Sequence, residues 1–220
     1  MTPEEIIEAG QKALDWMLEH KITVVLTVIF VSAITIVTVT YVDKREKEYE
    51  AAWAKIGALA LDTSVAKFQD ESAEKQTFTS AIEQYKFLLE QGTAPKKTRP
   101  WIVFELGNAQ YGAKEYADAA ETYKQFLGSY GDHPLAPLVR QSLGYACEEN
   151  GRLDEAVVYL NGNAPADGPS LLAQEKWDLG RCYEKLGRKE EAVKVYGEAV
   201  KLAPDSWPAK LAQFRLENMQ

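Results

Sequence analysis

The pair Leu-Gly returns at Leu106-Gly107, Leu143-Gly144 and Leu179-Gly180, with separations of 37 and 36 residues. Thirteen positions after each Leu stands a small residue, Ala119, Ala156 or Ala192. Four positions further on comes a large one, Tyr123, Leu160 or Tyr196, and Ala81 and Tyr85 precede the first of these pairs by 38. Such a register admits few folds. Gly and Ala at fixed places let two antiparallel helices approach closely, and large residues at the complementary places fill the gap. Gly151-Arg152 and Gly187-Arg188 supply turns, because glycine accepts the left-handed conformation that ends a helix. Pro204 stops the second helix of the last pair. No hairpin of this kind buries its apolar face alone, so neighbours must stack. Four second helices align in this way and three first helices do so clearly; the fourth first helix would be the stretch from about Lys44 to Ala66, which contains Trp53 and Ile56.

The pattern resembles the tetratricopeptide repeat. In the last unit the matching residues are Leu179, Gly180, Tyr183, Gly187, Ala192, Tyr196, Ala199 and Pro204. The unit beginning at Pro100 matches at Leu106, Gly107, Asn108, Ala109, Tyr116, Ala119 and Tyr123, but carries Lys114 where the turn glycine is usual. The unit beginning at Pro137 matches at Leu143, Gly144, Ala146, Gly151, Ala156 and Leu160, after which NGNAPADGPS (161–170) shortens its second helix and loosens the junction. Beyond Pro204, Ser206 caps a further helix in which Leu211, Phe214 and Leu216 are expected to cover the last hairpin while Lys210, Arg215 and Glu217 face water. A terminal helix of this kind closes a solenoid.

Residues 22–42, ITVVLTVIFVSAITIVTVTYV, contain no charge. As a helix they would rise about 32 Å, close to a hydrocarbon core of about 30 Å. In lipid a lone segment satisfies its backbone only as a helix. Tyr41 stands at one end of the run, where an interfacial aromatic belongs, and Trp16 lies outside the other. No small-residue cleavage site follows; Asp43-Lys44-Arg45-Glu46 follows instead, so the run reads as a retained anchor rather than a cleaved signal. Ahead of it, Thr2-Pro3-Glu4-Glu5 is a capping box, and Ile6, Ile7, Leu14, Met17 and Leu18 recur at helical spacing. This leader is expected to lie on the membrane surface or against a partner, with little attraction to anionic lipid because only Lys12 and Lys21 are basic. Lys12 and Lys21 on one side of the span, against Lys44, Arg45 and Lys47 on the other, lean by one residue toward a cytoplasmic C-terminal domain.

The expected architecture is therefore all-α, a tetratricopeptide-like solenoid of helical hairpins with an N-terminal transmembrane helix. Its divisions are an amphipathic leader (1–21), the span (22–42), a degenerate first hairpin (43–98), three repeats (99–206) and a C-terminal capping helix (207–220).

A net charge of −8 argues against a nucleic-acid partner, which wants a basic stripe. Cys147 and Cys182 fit no zinc spacing; they read as small apolar residues in helices, with a single disulfide left open. His20 and His133 lie on opposite sides of the span, so no metal cluster assembles and no cofactor is expected. There is no phosphate loop, dinucleotide fingerprint, nucleophile elbow or zinc-protease motif. The acid pairs Glu148-Glu149 and Glu190-Glu191 sit on helices beside turns, where they read as solvated faces or helix-dipole partners rather than as a catalytic pair, and no enzyme activity is expected.

First helices line the concave face in stacks of the family that the repeats resemble. By register the residues pointing there include Trp101, Phe104, Asn108 and Tyr111, then Gln141, Tyr145 and Glu148, then Trp177, Arg181 and Glu184. Aromatic bodies beside amide and charged groups suit an extended peptide or a partner helix, although the rings could also simply pack against one another. The Lys and Asn ladder that clamps a chaperone's C-terminal carboxylate is missing: Asn108 fits it, but Phe104 and Tyr145 stand where its other members would be. In order and size the chain resembles the bacterial YfgM-like family of single-pass tetratricopeptide proteins, ancillary subunits of the SecYEG translocon. That resemblance implies an inner-membrane protein whose C-terminal domain lies in the periplasm, against the lean of the charge count. It also implies a scaffold linking periplasmic chaperones or emerging chains to the Sec machinery, with the bilayer contacted through residues 22–42. The alternative is a structural accessory subunit of another bacterial membrane complex, for which Thr27, Ser32, Ala33 and Thr35 offer a small-residue packing face.

Overall fold

Helix boundaries fall where local chemistry places them. Thr2 and Glu5 exchange backbone and side-chain hydrogen bonds in a capping box that opens α1 (Pro3–Glu19). His20 caps α1, and α2 (Lys21–Ala66) follows at once. The Asp70 carboxylate accepts from the Ser72 and Ala73 amides to start α3 (Glu71–Glu90). Pro sits in the first turn of α4 (Arg99–Gly112), α6 (Ala136–Glu149) and α8 (Pro169–Lys185), where its missing N–H costs nothing. Their partners are α5 (Tyr116–Tyr130), α7 (Leu153–Leu160) and α9 (Lys189–Leu202). The Ser206 hydroxyl accepts from the Ala209 amide at the head of α10 (Trp207–Asn218).

The computed structural model describes residues 2–66, 68–91, 94–162 and 168–219, and all ten elements among them are α-helices. Half of the loosened junction foreseen at 161–170, namely 163–167, lies outside the described residues. The chain divides into two units, residues 1–51 and 52–220.

In the first unit α1 buries none of its residues. The apolar part of α2 is likewise uncovered by protein, and α2 is long and apolar enough to cross a membrane. Thr27, Thr35, Thr38 and Thr40 each donate a hydroxyl proton to a carbonyl of the preceding turn, so these four hydroxyls are satisfied within the helix.

The second unit is a stack of hairpins. At each of three equivalent crossings a first-helix glycine lies directly beneath a large second-helix side chain: Gly107 under Tyr123, Gly144 under Leu160, Gly180 under Tyr196. A Cβ at any of these glycines would lie well inside van der Waals contact with that side chain. Ala119, Ala156 and Ala192, one turn away from the large residues, are fully buried. A fourth close approach, Gly112 under Phe78, seats α3 on α4. The end of α2 joins the stack through Ile56 and Leu59, which pack with Phe78, Ile82 and Tyr85, and the Tyr85 hydroxyl reaches the Ile56 carbonyl at 3.5 Å.

The turns α4–α5, α6–α7 and α8–α9 are alike. In each, the amide two residues past the helix cap bonds back to a carbonyl five residues earlier: Glu115 to Gln110, Arg152 to Cys147, Arg188 to Tyr183. The residue before it takes a left-handed conformation, with φ of 75° at Gly151 and 73° at Gly187. Lys114 adopts the same conformation, φ 65°, without being glycine.

One expectation is corrected at the C-terminus. α10 packs on α8 and α9 through Ala209 and Ala212, which are buried, and through Leu216. Phe214 is 60% exposed, and Arg215 turns inward to Glu184. Small residues three apart let the helix axis approach, which sends Phe214, two positions beyond Ala212, to the opposite side. Glu184 supplies the partner that draws Arg215 in.

Candidate partner-binding face

Residues of α4, α6 and α8 that share a register position share a row across the three first helices. Glu105, Ser142 and Asp178 immediately precede the three Leu-Gly pairs; Asn108, Tyr145 and Arg181 follow one turn on, then Tyr111, Glu148 and Glu184. Two clefts open along these rows, each of about 470 Å³. The first is lined by Glu105, Asn108, Tyr111, Ser142 and Tyr145, with Thr63 and Ser64 of α2 and Phe78 of α3 on its far side. The second is lined by Glu148, Trp177, Arg181, Glu184, Lys185 and Arg215.

A hydrogen-bonded layer separates the clefts. The Tyr145 hydroxyl donates to Asp178 Oδ2 at 2.7 Å and accepts from the Gln141 amide at 3.0 Å. Gln174 donates to Asp178 Oδ1 at 3.0 Å. Arg181 Nη2 bridges Asp178 Oδ1 at 3.0 Å and Glu148 Oε2 at 2.9 Å, and Lys185 Nζ stands 3.0 Å from the other Glu148 oxygen. The Asp178 and Glu148 side chains are each only 2% exposed. Two carboxylates this deep need paired cations and hydrogen bonds to remain ionised. Burial pushes the Asp178 carboxyl above its usual range, opposed by hydrogen bonds from Tyr145 and Gln174 and by the Arg181 charge. Burial and then the Asp178 charge push the Tyr145 phenol up in turn. Glu105 is raised by burial too, although the Asn108 amide donates to it at 3.2 Å. At the end of the stack Glu184 accepts from the Tyr196 hydroxyl at 3.0 Å and pairs with Arg215.

Eight of the ten residues expected on the concave face belong to these clefts or to the layer between them. The other two pack elsewhere. Phe104 is buried in the core 6.3 Å from the Tyr123 ring. Trp101 lies edge-on between Trp53, at 5.4 Å, and His133, at 6.2 Å. Trp177 is half-buried, with its ring 5.3 Å from Tyr196. Sequence reasoning passed over Asp178, Glu105, Ser142, Lys185 and Arg215. The first three had a usable signal, since each directly precedes the Leu of a Leu-Gly pair. Arg215 had none, because its inward turn depends on how α10 seats.

Cys147 and Cys182 are both buried free thiols. Burial is the largest cause of the rise in each, and Cys182 is pushed up to about 12. These groups behave as small core residues with little thiolate character.

Residues 104–169 and 173–206 match the tetratricopeptide repeat family. The chain is 30% identical over 112 residues to the ancillary SecYEG translocon subunit of Neisseria gonorrhoeae (strain ATCC 700825 / FA 1090), a match covering 50% of this chain and 52% of that protein. It thus spans about half the length of that curated relative. Among solved structures, it superposes on the tetratricopeptide-like repeats of a Podosopora anserina putative kinesin light chain with a TM-score of 0.58 and 19% identity, over 74% of this chain and 86% of the other. A MamA RS-1 double mutant gives a TM-score of 0.53 and 16% identity, over 73% and 82%. At those identities the likeness speaks for the fold. Repeat register, glycine-seated crossings, matched turns and family match converge: this chain carries tetratricopeptide repeats at residues 104–169 and 173–206, set in an all-α solenoid.

Proposed function

We propose that this protein is a membrane-anchored interaction scaffold, an ancillary subunit of a bacterial Sec translocon, that works by contact and performs no chemistry. The similarity of half the chain to an ancillary SecYEG translocon subunit carries this reading. Two further features support it: α2 has the length and apolarity of a single anchor, and the first helices present clefts in which Tyr111 and Trp177 stand beside charged and amide groups. In this reading residues 1–21 are a leader, 22–42 the span, 43–98 a first hairpin, 99–206 three repeats and 207–220 the cap. The C-terminal domain faces the periplasm of the inner membrane, where it receives chaperones or emerging chains. Tethering raises the domain's effective concentration at the membrane, so individually weak contacts suffice.

Crosslinking in native membranes followed by purification of the chain tests the proposal. Translocon subunits are expected to co-purify, and Tyr111→Ala with Trp177→Ala should lower partner recovery on the order of tenfold or more, the scale of losing an aromatic anchor. A thermal melt of the variant separates lost binding from lost folding. Protease added outside spheroplasts should digest the domain; protection would place it in the cytoplasm. Reproducible recovery of an unrelated membrane complex, without translocon subunits, would replace this reading with that of an accessory subunit elsewhere.

A further inference from the structure

α1 is the helix of the leader, and none of its residues is buried among the described residues: Ile6, Ile7, Leu14, Trp16, Met17 and Leu18 are between 43% and 63% exposed. At about 100° per residue these side chains do not scatter. Glu4, Glu5, Glu8, Lys12, Asp15 and Glu19 fall on one side of the helix, and the large apolar residues fill the other. The apolar face spans roughly half the circumference, wider than the narrow seam with which two helices of a coiled coil meet. Its occupant is therefore better matched by a broad surface than by a second copy of the same helix.

Position identifies that surface. Only His20 separates α1 from α2, and the uncharged run begins at Ile22. With that run in the bilayer, its first residue lies at the hydrocarbon edge, and α1, about 26 Å long, has no linker with which to leave the headgroup layer. The Trp16 ring stacks on His20 at 4.7 Å, placing an amphipathic aromatic pair at the join, the depth such rings favour. We infer that α1 lies in the plane of the bilayer surface on the N-terminal side of the span, with Ile6, Ile7, Leu14, Met17 and Leu18 among the upper acyl chains and its acidic side in water. The inference rests on the reading of residues 22–42 as a membrane span. Because the polar side carries Glu4, Glu5, Glu8, Asp15 and Glu19 against Lys12 alone, attachment runs on apolar area and owes nothing to anionic lipid.

The full chain in phosphatidylcholine nanodiscs tests this, using nitroxides on Ile7→Cys, Leu14→Cys, Glu8→Cys, Asp15→Cys and, in mid-span, Val31→Cys; the buried native thiols stay unlabelled. The ratio of oxygen to water-soluble nickel accessibility is expected to be about fivefold higher at positions 7 and 14 than at 8 and 15, and unchanged when anionic lipid is added. Equal nickel access on both faces, with Val31→Cys still in lipid, overturns the inference while leaving the anchor standing. Shielding of positions 7 and 14 from both reagents also overturns it, in favour of a protein cover. Nickel access at Val31→Cys removes the anchor itself and the inference with it.

Discussion

At the scale of single residues, Asp178 shows how one repeat of a stack acquires a polar contact that the other two lack. Its equivalents are Glu105 and Ser142, so the register tolerates polarity there, and only in the third repeat does a carboxylate meet both Tyr145 and Arg181. Because burial raises the Asp178 carboxyl, the folded chain holds its proton at pH values where the unfolded chain, titrating near 3.9, has lost it. Stability from this group is thus greatest below the unfolded value and is lost as pH rises through the folded one. Asp178→Asn removes that slope. The urea midpoint of the parent chain should therefore fall relative to that of the variant between pH 4 and pH 7; a difference independent of pH would refute the assignment. Glu105 shifts in the same direction in both proteins and cancels from the comparison.

Among elements, the turns carry the clearest inequality. Three first helices end in the same back-bonded motif, and in the first of them Lys114 occupies the left-handed site that Gly151 and Gly187 fill in the others. The left-handed conformation costs a side-chain-bearing residue about 1–2 kcal/mol, and glycine returns part of that as unfolded-chain entropy. Lys114→Gly should then stabilise the domain by about 0.5–1 kcal/mol, read as a higher urea midpoint with unchanged m-value. These elements were readable in the sequence because their determinants are local: a Pro in the first turn, a Gly at the turn, an Ala thirteen positions after a Leu. The departure at Lys114 was readable too. The seat of α10 was not, since Ala212 and Phe214 compete for the interface and only the surface offered by α8 and α9 chooses between them.

For the molecule as a whole, the apolar run of α2, unburied among the described residues, carries the clearest expectation. Val31→Arg together with Ile34→Arg would put two guanidinium groups near the middle of the apolar run, at about 2.5–3.5 kcal/mol each on an insertion scale. The parent chain is expected to stay in the carbonate-washed membrane pellet, and the double variant to leave it. Sequence alone determined the helical hairpins, their order and the apolar run, because periodicity, turn residues and an absence of charge act between near neighbours and need no partner to take effect. Tertiary structure decided the rest. It sent Phe104 into the core and Trp101 between Trp53 and His133, brought Tyr145 to Asp178 across 33 positions, and turned Arg215 to Glu184. Each of those outcomes depends on how closely one hairpin seats on the next, a distance set by the summed packing of many side chains and written at no single position.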